Sequence, residues 1–179
     1  MAGLAACGGD DGEPTPAHTA VPPGSLALSS VAVKDGERIP VEYTCDGADR
    51  SPALEWTGSP AGTKAFALLM VDPDAPRKGG YVHWVVFNIP GTATSLAASA
   101  SPNGVLPGGS GEGNNSAGKP GYTGPCPPAG KEHHYVFRLF ALDASLGLKA
   151  GATGDELLNA LDAVKVLGES TLAATYMRR

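Results

Sequence analysis

The sequence predicts a mainly β domain of the α+β class, an antiparallel β-sandwich with helices late in the chain. Three observations predict it. Short apolar runs rich in Val, Ile and aromatic residues are separated by turn signals. The chain holds 25 glycines and 16 prolines, high counts that suggest many turns. Helical periodicity occurs only near the C-terminus.

The strand predictions follow the chain in order. The segment 26–45, LALSSVAVKDGERIPVEYTC, is predicted to form two short strands around a turn at Asp35-Gly36. The apolar run 64–74 stops at a proline, and 81–90, YVHWVVFNIP, is β-branched and aromatic. In the segment 133–143, HHYVFRLFALD, both alternating faces are largely apolar. That pattern is typical of a central strand.

The C-terminal segment is predicted to be helical. Thr153 and Glu156 have the T-x-x-E spacing of a capping box. An amphipathic stripe follows, and Gly168 is predicted to end this helix. A second helix is predicted over 169–179, with an inner face formed by two apolar side chains. The stripe consists of Leu157, Leu158, Leu161 and Val164, and the inner face of Leu172 and Tyr176.

Residues 1–24 form a predicted flexible leader and linker, and residues 25–179 the domain. Leu4-Ala5-Ala6-Cys7 resembles the lipobox of bacterial lipoproteins, in which the cysteine is lipidated; the alternative is a chance match in an Ala-rich tail. The charged and apolar regions of an export signal do not precede the box. We therefore expect a cell-envelope lipoprotein if that region lies upstream, and a cytoplasmic protein otherwise.

Composition and net charge limit the classes of partner that the protein can be expected to bind. The net charge is -5 and no Lys/Arg cluster occurs, which argues against nucleic acid. No apolar run approaches the ~20 residues that span a bilayer, so membrane contact is expected only through a lipid anchor. A long aperiodic segment, 101–130, interrupts the strands. Loops of this length inside a domain are usually functional or disordered.

Four segments carry motifs that follow one another along the chain. They are YTCDGADRSPALEW (43–56), DPDAP followed by His83-Trp84 (72–84), GYTGPCPPAG (121–130) and HHYVFRLFALD (133–143). Together they resemble the phosphatidylethanolamine-binding protein family, most closely its bacterial Raf-kinase-inhibitor-like branch. The resemblance implies a large antiparallel sheet packed on a smaller one, with a C-terminal helix beside a small pocket. It also implies a non-catalytic protein without a cofactor, which binds phosphate or a phospholipid head group.

The resemblance carries over a set of pocket residues. The two histidines and a tyrosine hydroxyl are hydrogen-bond donors for an anion, and a carboxylate orients imidazole. We expect that carboxylate to raise the histidine pKa, so that anion affinity weakens as the pH rises. The ligand-binding candidates are Asp72, Asp74, Ala75, Pro76, His83, Gly124, Pro125, His133, Tyr135 and Tyr176.

Other interpretations stay open at this point. The Asp-Pro pairs are common turn formers, and a lone His83 fits a core histidine. The aspartates and histidines could ligate a metal ion, but no H-x-H or H-x-x-x-H spacing is present. An Asp–His pair can also do acid–base chemistry, yet no nucleophile is identifiable. As an alternative function, family members inhibit kinases and serine proteases, and here the pocket rim or the loop 101–123 would contact such a target.

Two local predictions complete the set. With Cys7 lipidated, Cys45 and Cys126 are predicted to form a disulfide; the competing interpretation is two buried thiols. One proline bond in DPDAP, most plausibly Ala75-Pro76, is predicted to be cis, because the pocket mouth needs a tight turn.

Overall fold

A computed structural model of the chain describes residues 25–179. The predicted linker 1–24 and the lipidation site Cys7 lie outside the described residues. Eight strands and one α-helix form the domain. The strands are β1 (Ala27–Ser29), β2 (Leu54–Thr57), β3 (Ala65–Asp72), β4 (Tyr81–Pro90), β5 (Ser95–Leu96), β6 (Gly111–Glu112), β7 (Glu132–Leu142) and β8 (Val166–Met177), and the helix is α1 (Gly154–Ala160).

Two antiparallel sheets confirm the predicted fold class. The large sheet has the order β6-β4-β3-β7-β8 and the small one β1-β2-β5. The predicted central strands β3 and β7 lie side by side, paired from Ala65 with Leu142 to Val71 with Val136. β3 is apolar on both faces, and β7 is largely so from Tyr135 onward, because both faces of the large sheet are covered there.

Alternation along β3 shows how both faces are used. Phe66, Leu68 and Met70 pack in the core that the small sheet shares, with Trp56 of β2 among its members. Leu69 of the opposite face packs in a second core together with Leu157 of α1. A continuous apolar run is thus what a strand between two cores requires.

The predicted N-terminal hairpin is wrong in its second strand. After β1 the chain bends, and a single turn of 3-10 helix follows at Val41–Tyr43. The segment before that turn lies along the outer edge of β8, where the Ile39 N–H donates to the Thr175 carbonyl (2.8 Å) and the Thr175 N–H donates to the Glu37 carbonyl (2.9 Å). The segment therefore satisfies the backbone of an edge strand instead of pairing with β1.

The capping box of α1 is present, but the helix is shorter than predicted. The Glu156 N–H donates to Thr153 Oγ1 (3.2 Å), and the Thr153 N–H donates to Glu156 Oε2 (2.7 Å). The helix ends at Ala160 and passes into a 3-10 turn, Leu161–Ala163, rather than reaching Gly168. None of the helices within residues 25–179 is long and apolar enough to cross a membrane.

The predicted second helix is wrong, because 169–177 belongs to strand β8. This strand pairs with β7 along its whole length, from Glu132 with Met177 to Leu142 with Val166. Its buried side chains recur with period two, at Leu172, Ala174 and Tyr176. A helix here would leave the long apolar strand β7 without a partner on one side, which is costly in a buried sheet.

The segment 101–123 is ordered by specific bonds rather than structureless. Strand β6 pairs with β4. The buried Asn115 side chain accepts from the Ala117 N–H (3.0 Å) and donates to the Gly121 carbonyl (3.1 Å). An exposed part remains near the start of the segment, where Val105 is 85% exposed.

Candidate functional site

A cavity of about 260 Å³ opens at the ends of the central strands of the large sheet. Strand β3 ends there, and its two antiparallel neighbours β4 and β7 begin there. Six of the predicted residues line it, together with five others. The predicted ones are Asp72, Ala75, Pro76, His83, Gly124 and His133, and the others are Tyr81, Thr123, Cys126, Pro127 and Pro128.

Asp72, the last residue of β3, organises the turn and one histidine at once. Its side chain is only 4% exposed. Oδ1 accepts the N–H groups of Asp74 (2.9 Å) and Ala75 (3.1 Å), which folds the D-P-D-A-P turn over the strand end. Oδ2 lies 2.7 Å from His133 Nδ1. Because a carboxylate only accepts, Nδ1 of His133 carries the hydrogen and Nε2 is the ring nitrogen left for a ligand.

His83 lies on β4 and is fixed by a backbone group. Its Nδ1 donates to the Thr123 carbonyl at 2.8 Å, so here too Nε2 is left for the cavity. The ring is 4% exposed and packs between the rings of Tyr81 and Tyr135, with centroids 4.8 and 5.2 Å away. His83 is therefore held in one orientation by a backbone carbonyl and two aromatic rings, without a hydrogen bond to another side chain.

The electrostatics of His83 correct one expectation. Burial lowers the pKa of His83 below its usual 6.5, and the Thr123 carbonyl and the negative charge of Asp72 oppose this shift without reversing it. The predicted increase was wrong in direction for this residue, because desolvation of the ring outweighs its carboxylate neighbour. His83 is neutral at neutral pH as a result.

Tyr135 lies behind the cavity rather than in its lining. The side chain is fully buried, and its hydroxyl has no hydrogen-bond partner within residues 25–179. Burial and the nearby Asp72 carboxylate raise the pKa of Tyr135, which keeps the hydroxyl protonated. The neutral Tyr135 side chain packs against the His83 ring on the side away from the cavity opening.

Three further candidates also lie outside the lining. The Tyr176 hydroxyl on β8 donates to Asp46 Oδ2 (2.8 Å), away from the cavity. Asp74 accepts from the His134 backbone N–H and from its Nδ1, both at 2.7 Å, and so ties the D-P-D-A-P turn to β7. The Pro125 carbonyl accepts the Cys45 N–H at 3.2 Å.

A disulfide joins Cys45 to Cys126, with Cα atoms 5.4 Å apart. Cys126 lines the cavity, so the bridge ties the cavity wall to the chain that follows the 3-10 turn. Gly124 reaches this wall through close packing, since a Cβ there would lie 2.5 Å from the Tyr43 carbonyl oxygen. Only glycine allows that approach.

The predicted cis bond in D-P-D-A-P is wrong. Within residues 25–179 the cis peptide bond is Ser101-Pro102. The turn after β3 is closed by the two backbone hydrogen bonds to Asp72 Oδ1, which give it a tight path with trans prolines.

Five lining residues were not among the predicted ones, and the sequence carries a signal for some of them only. Tyr81 stands two positions before His83 on the same strand and so shares its face, a signal that alternation supplies. Thr123 acts through its backbone carbonyl, and residue type carries no signal for that.

The charge of the cavity is unusual for an anion site, because its lining within residues 25–179 contains no Lys or Arg, and Asp72 is its acidic side chain. A neighbouring cavity of about 270 Å³ does contain Arg77 and Lys78. Across residues 25–179, no three His, Cys, Asp or Glu side chains are grouped to hold a metal ion. The first cavity can thus present two imidazole nitrogens to a small ligand.

Comparison with known proteins identifies a family model and several relatives that match this chain. The family model for phosphatidylethanolamine-binding proteins matches residues 29–177. A UPF0098 protein of Methanothermobacter thermautotrophicus is 48% identical over 153 residues, which cover 86% of this chain and 99% of that protein. A Mycobacterium tuberculosis protein that is named as a lipoprotein, LppC, is 41% identical to this chain over 163 residues. These residues cover 90% of this chain and 76% of LppC.

A solved structure agrees with the sequence comparisons. The crystal structure of Escherichia coli YbcL, described as a member of the mammalian PEBP family, matches with a TM-score of 0.81 at 35% identity. The match covers 87% of this chain and 99% of that one. Since the family model spans most of the chain and the relatives match it along most of their length, this protein belongs to the phosphatidylethanolamine-binding protein family.

Proposed function

We propose that this protein is a binding protein whose cavity takes a small anion, a phosphate group that is free or part of a phospholipid head group. One observation carries the proposal. His83 and His133, distant in sequence, line one cavity, and each uses Nδ1 for a protein contact so that Nε2 is left for a ligand. Such rings are the parts of an anion site when they carry a proton.

The size of the cavity supports a small ligand. Its volume of about 260 Å³ lies just under the roughly 300–1,000 Å³ of sites for drug-sized molecules. The walls are stiff, since Pro76, Pro127 and Pro128 have restricted backbones and Cys126 is bridged. A rigid wall reduces the ordering cost of binding.

A non-catalytic role stays a prediction, as does the location of the protein. The lining sulfur, that of Cys126, is in a disulfide and cannot act as a thiolate. A disulfide favours an oxidising compartment, and the relative LppC is named as a lipoprotein. Both support the proposal of a lipoprotein of the bacterial cell envelope.

The alternative function, inhibition of a kinase or protease, also stays a prediction. The loop 101–123 offers one well-exposed apolar side chain, Val105, to such a partner. The cavity offers more specific chemistry, and we therefore place anion binding first.

The proposal is tested by calorimetric titration of the full chain with inorganic phosphate and phosphoethanolamine at pH 5.5 and pH 8. We expect tighter binding at pH 5.5 than at pH 8, because the lowered pKa of His83 places the protonation of this ring below pH 6.5, and the protonated ring donates from Nε2 to the anion. His133→Ala removes one of the two ring nitrogens that contact the anion and should weaken binding by about one to two decades.

His134→Ala is the matched control, since it removes an exposed imidazole that does not line the cavity and keeps the backbone N–H bond of residue 134 to Asp74, which still ties the turn to β7. It should leave the affinity unchanged. Equal affinity at both pH values, together with no effect of His133→Ala, would contradict the proposal.

A further inference from the structure

We infer that the cavity selects a phosphate group that still carries a proton, with His83 Nε2 accepting the hydrogen bond from its P–OH. The favoured ligands are inorganic phosphate and phosphomonoesters as monoanions, and the disfavoured ones are phosphodiesters and sulfate. This inference rests on the proposed function and narrows it.

The hydrogen bond of His83 fixes which ring nitrogen can accept. A carbonyl oxygen has no hydrogen to give, so the 2.8 Å contact with the Thr123 carbonyl requires a hydrogen on Nδ1. In the neutral ring Nε2 then holds a lone pair. Burial favours that neutral form by lowering the pKa of His83, as described above. At neutral pH the cavity therefore offers an acceptor at this position.

In the described part of the chain, the groups that face His83 include no Lys or Arg side chain. The groups that face it are the rings of Tyr81 and Tyr135, the carboxylates of Asp72 and Asp49, and the second imidazole, His133. The two carboxylates are negative and the tyrosines neutral. A dianion meets repulsion there, whereas a monoanion with a hydroxyl meets less and can donate.

A ligand without a donor leaves Nε2 unpaired or forces a buried ring to take up a proton. Sites built to pair a particular hydrogen bond discriminate strongly against analogues that lack it. Sulfate and phosphodiesters carry no P–OH or S–OH hydrogen near neutral pH. A phosphomonoester, with a second pKa of about 6, keeps one on a useful fraction of molecules. The head group of an intact phospholipid such as phosphatidylethanolamine is a phosphodiester, so this cavity favours the soluble monoester over it.

The test is calorimetry of the full chain at pH 6 with four probes: inorganic phosphate, phosphoethanolamine, sulfate and glycerophosphoethanolamine. We expect the first two to bind at least tenfold more tightly than the last two. The measured quantity is the affinity ratio of phosphate to sulfate on one and the same protein sample, which does not depend on the folded fraction.

The variant His83→Asn keeps a side-chain N–H that can donate to the Thr123 carbonyl and lacks the acceptor at Nε2. We expect its phosphate-to-sulfate ratio to fall to within about twofold of unity. His134→Asn, outside the lining and with the backbone N–H bond to Asp74 kept, should retain the wild-type ratio.

The outcomes separate the two proposals. If none of the four probes binds, the proposed function itself is overturned and this inference with it. If all four bind equally well, anion binding stands and proton selection is overturned. A ratio that survives His83→Asn would remove His83 from its assigned role.

Discussion

Replacing both bridged cysteines, Cys45→Ser with Cys126→Ser, is expected to lower the free energy of unfolding by about 4 kcal/mol. The bridge joins positions 81 residues apart, and in the chain-entropy model closing so long a loop restricts the unfolded chain strongly. A domain of ordinary stability has only about 5–15 kcal/mol in total, so the loss is large. Urea denaturation of the variant and the wild type measures it.

The wild type in reductant provides the companion measurement, and its unfolding midpoint should approach that of the double variant. Cys7→Ser, which alters the remaining cysteine of the chain, controls for the substitution itself and should leave the midpoint unchanged. A loss below about 1 kcal/mol, in the variant and in reductant alike, would show that the bridge contributes little.

Asp72→Ala is expected to destabilise the domain by about 3 kcal/mol and to abolish anion binding. The substitution removes the acceptor of the Asp74 and Ala75 N–H groups and the partner of His133 Nδ1. Each buried polar group left unpaired costs roughly 1–3 kcal/mol, and the turn residues are partly exposed. We therefore take the lower bound of about 1 kcal/mol for each of the three groups, which gives about 3 kcal/mol in total. Thermal or urea unfolding measures the stability and calorimetry the binding.

Asp72→Asn separates the two roles of this carboxylate. Its amide oxygen can still accept the two turn N–H groups, whereas its NH2 cannot accept from His133 Nδ1. We expect a smaller loss of stability than with alanine, and binding that is still impaired. Asp162→Ala, at an exposed position, should change stability by no more than about 0.5 kcal/mol. Wild-type affinity in Asp72→Asn would contradict the orienting role.

The strands at the centre of the fold were predictable because their sequence pattern has one physical solution. Residues 65–71 are apolar on both faces and residues 135–142 largely so, which is the pattern of a strand between two cores. The edge strand β8 was not predictable in the same way. Leu172 and Tyr176 are four positions apart, a spacing that puts them on one face of a helix and also on one face of a strand.

Some features of the candidate site could be predicted from the sequence and others could not. Asp72, His83 and His133 could be predicted because they are polar side chains in motif segments at strand ends. The contact that fixes His83 could not, since its partner is the backbone carbonyl of Thr123. The direction of the His83 pKa shift also depends on burial, which a list of charged neighbours does not reveal. Tyr176 could equally have faced Asp46 or the cavity until the register of β8 was known.

The proposed function depends on His83 and His133 binding one phosphate group together. A crystal structure of the full chain grown with phosphate is the decisive measurement. We expect phosphate oxygens within about 2.7–3.2 Å of the Nε2 atoms of both rings, inside the cavity beside Gly124. Phosphate bound instead in the neighbouring cavity at Arg77 and Lys78, with the histidine cavity free of it, would overturn this binding mode.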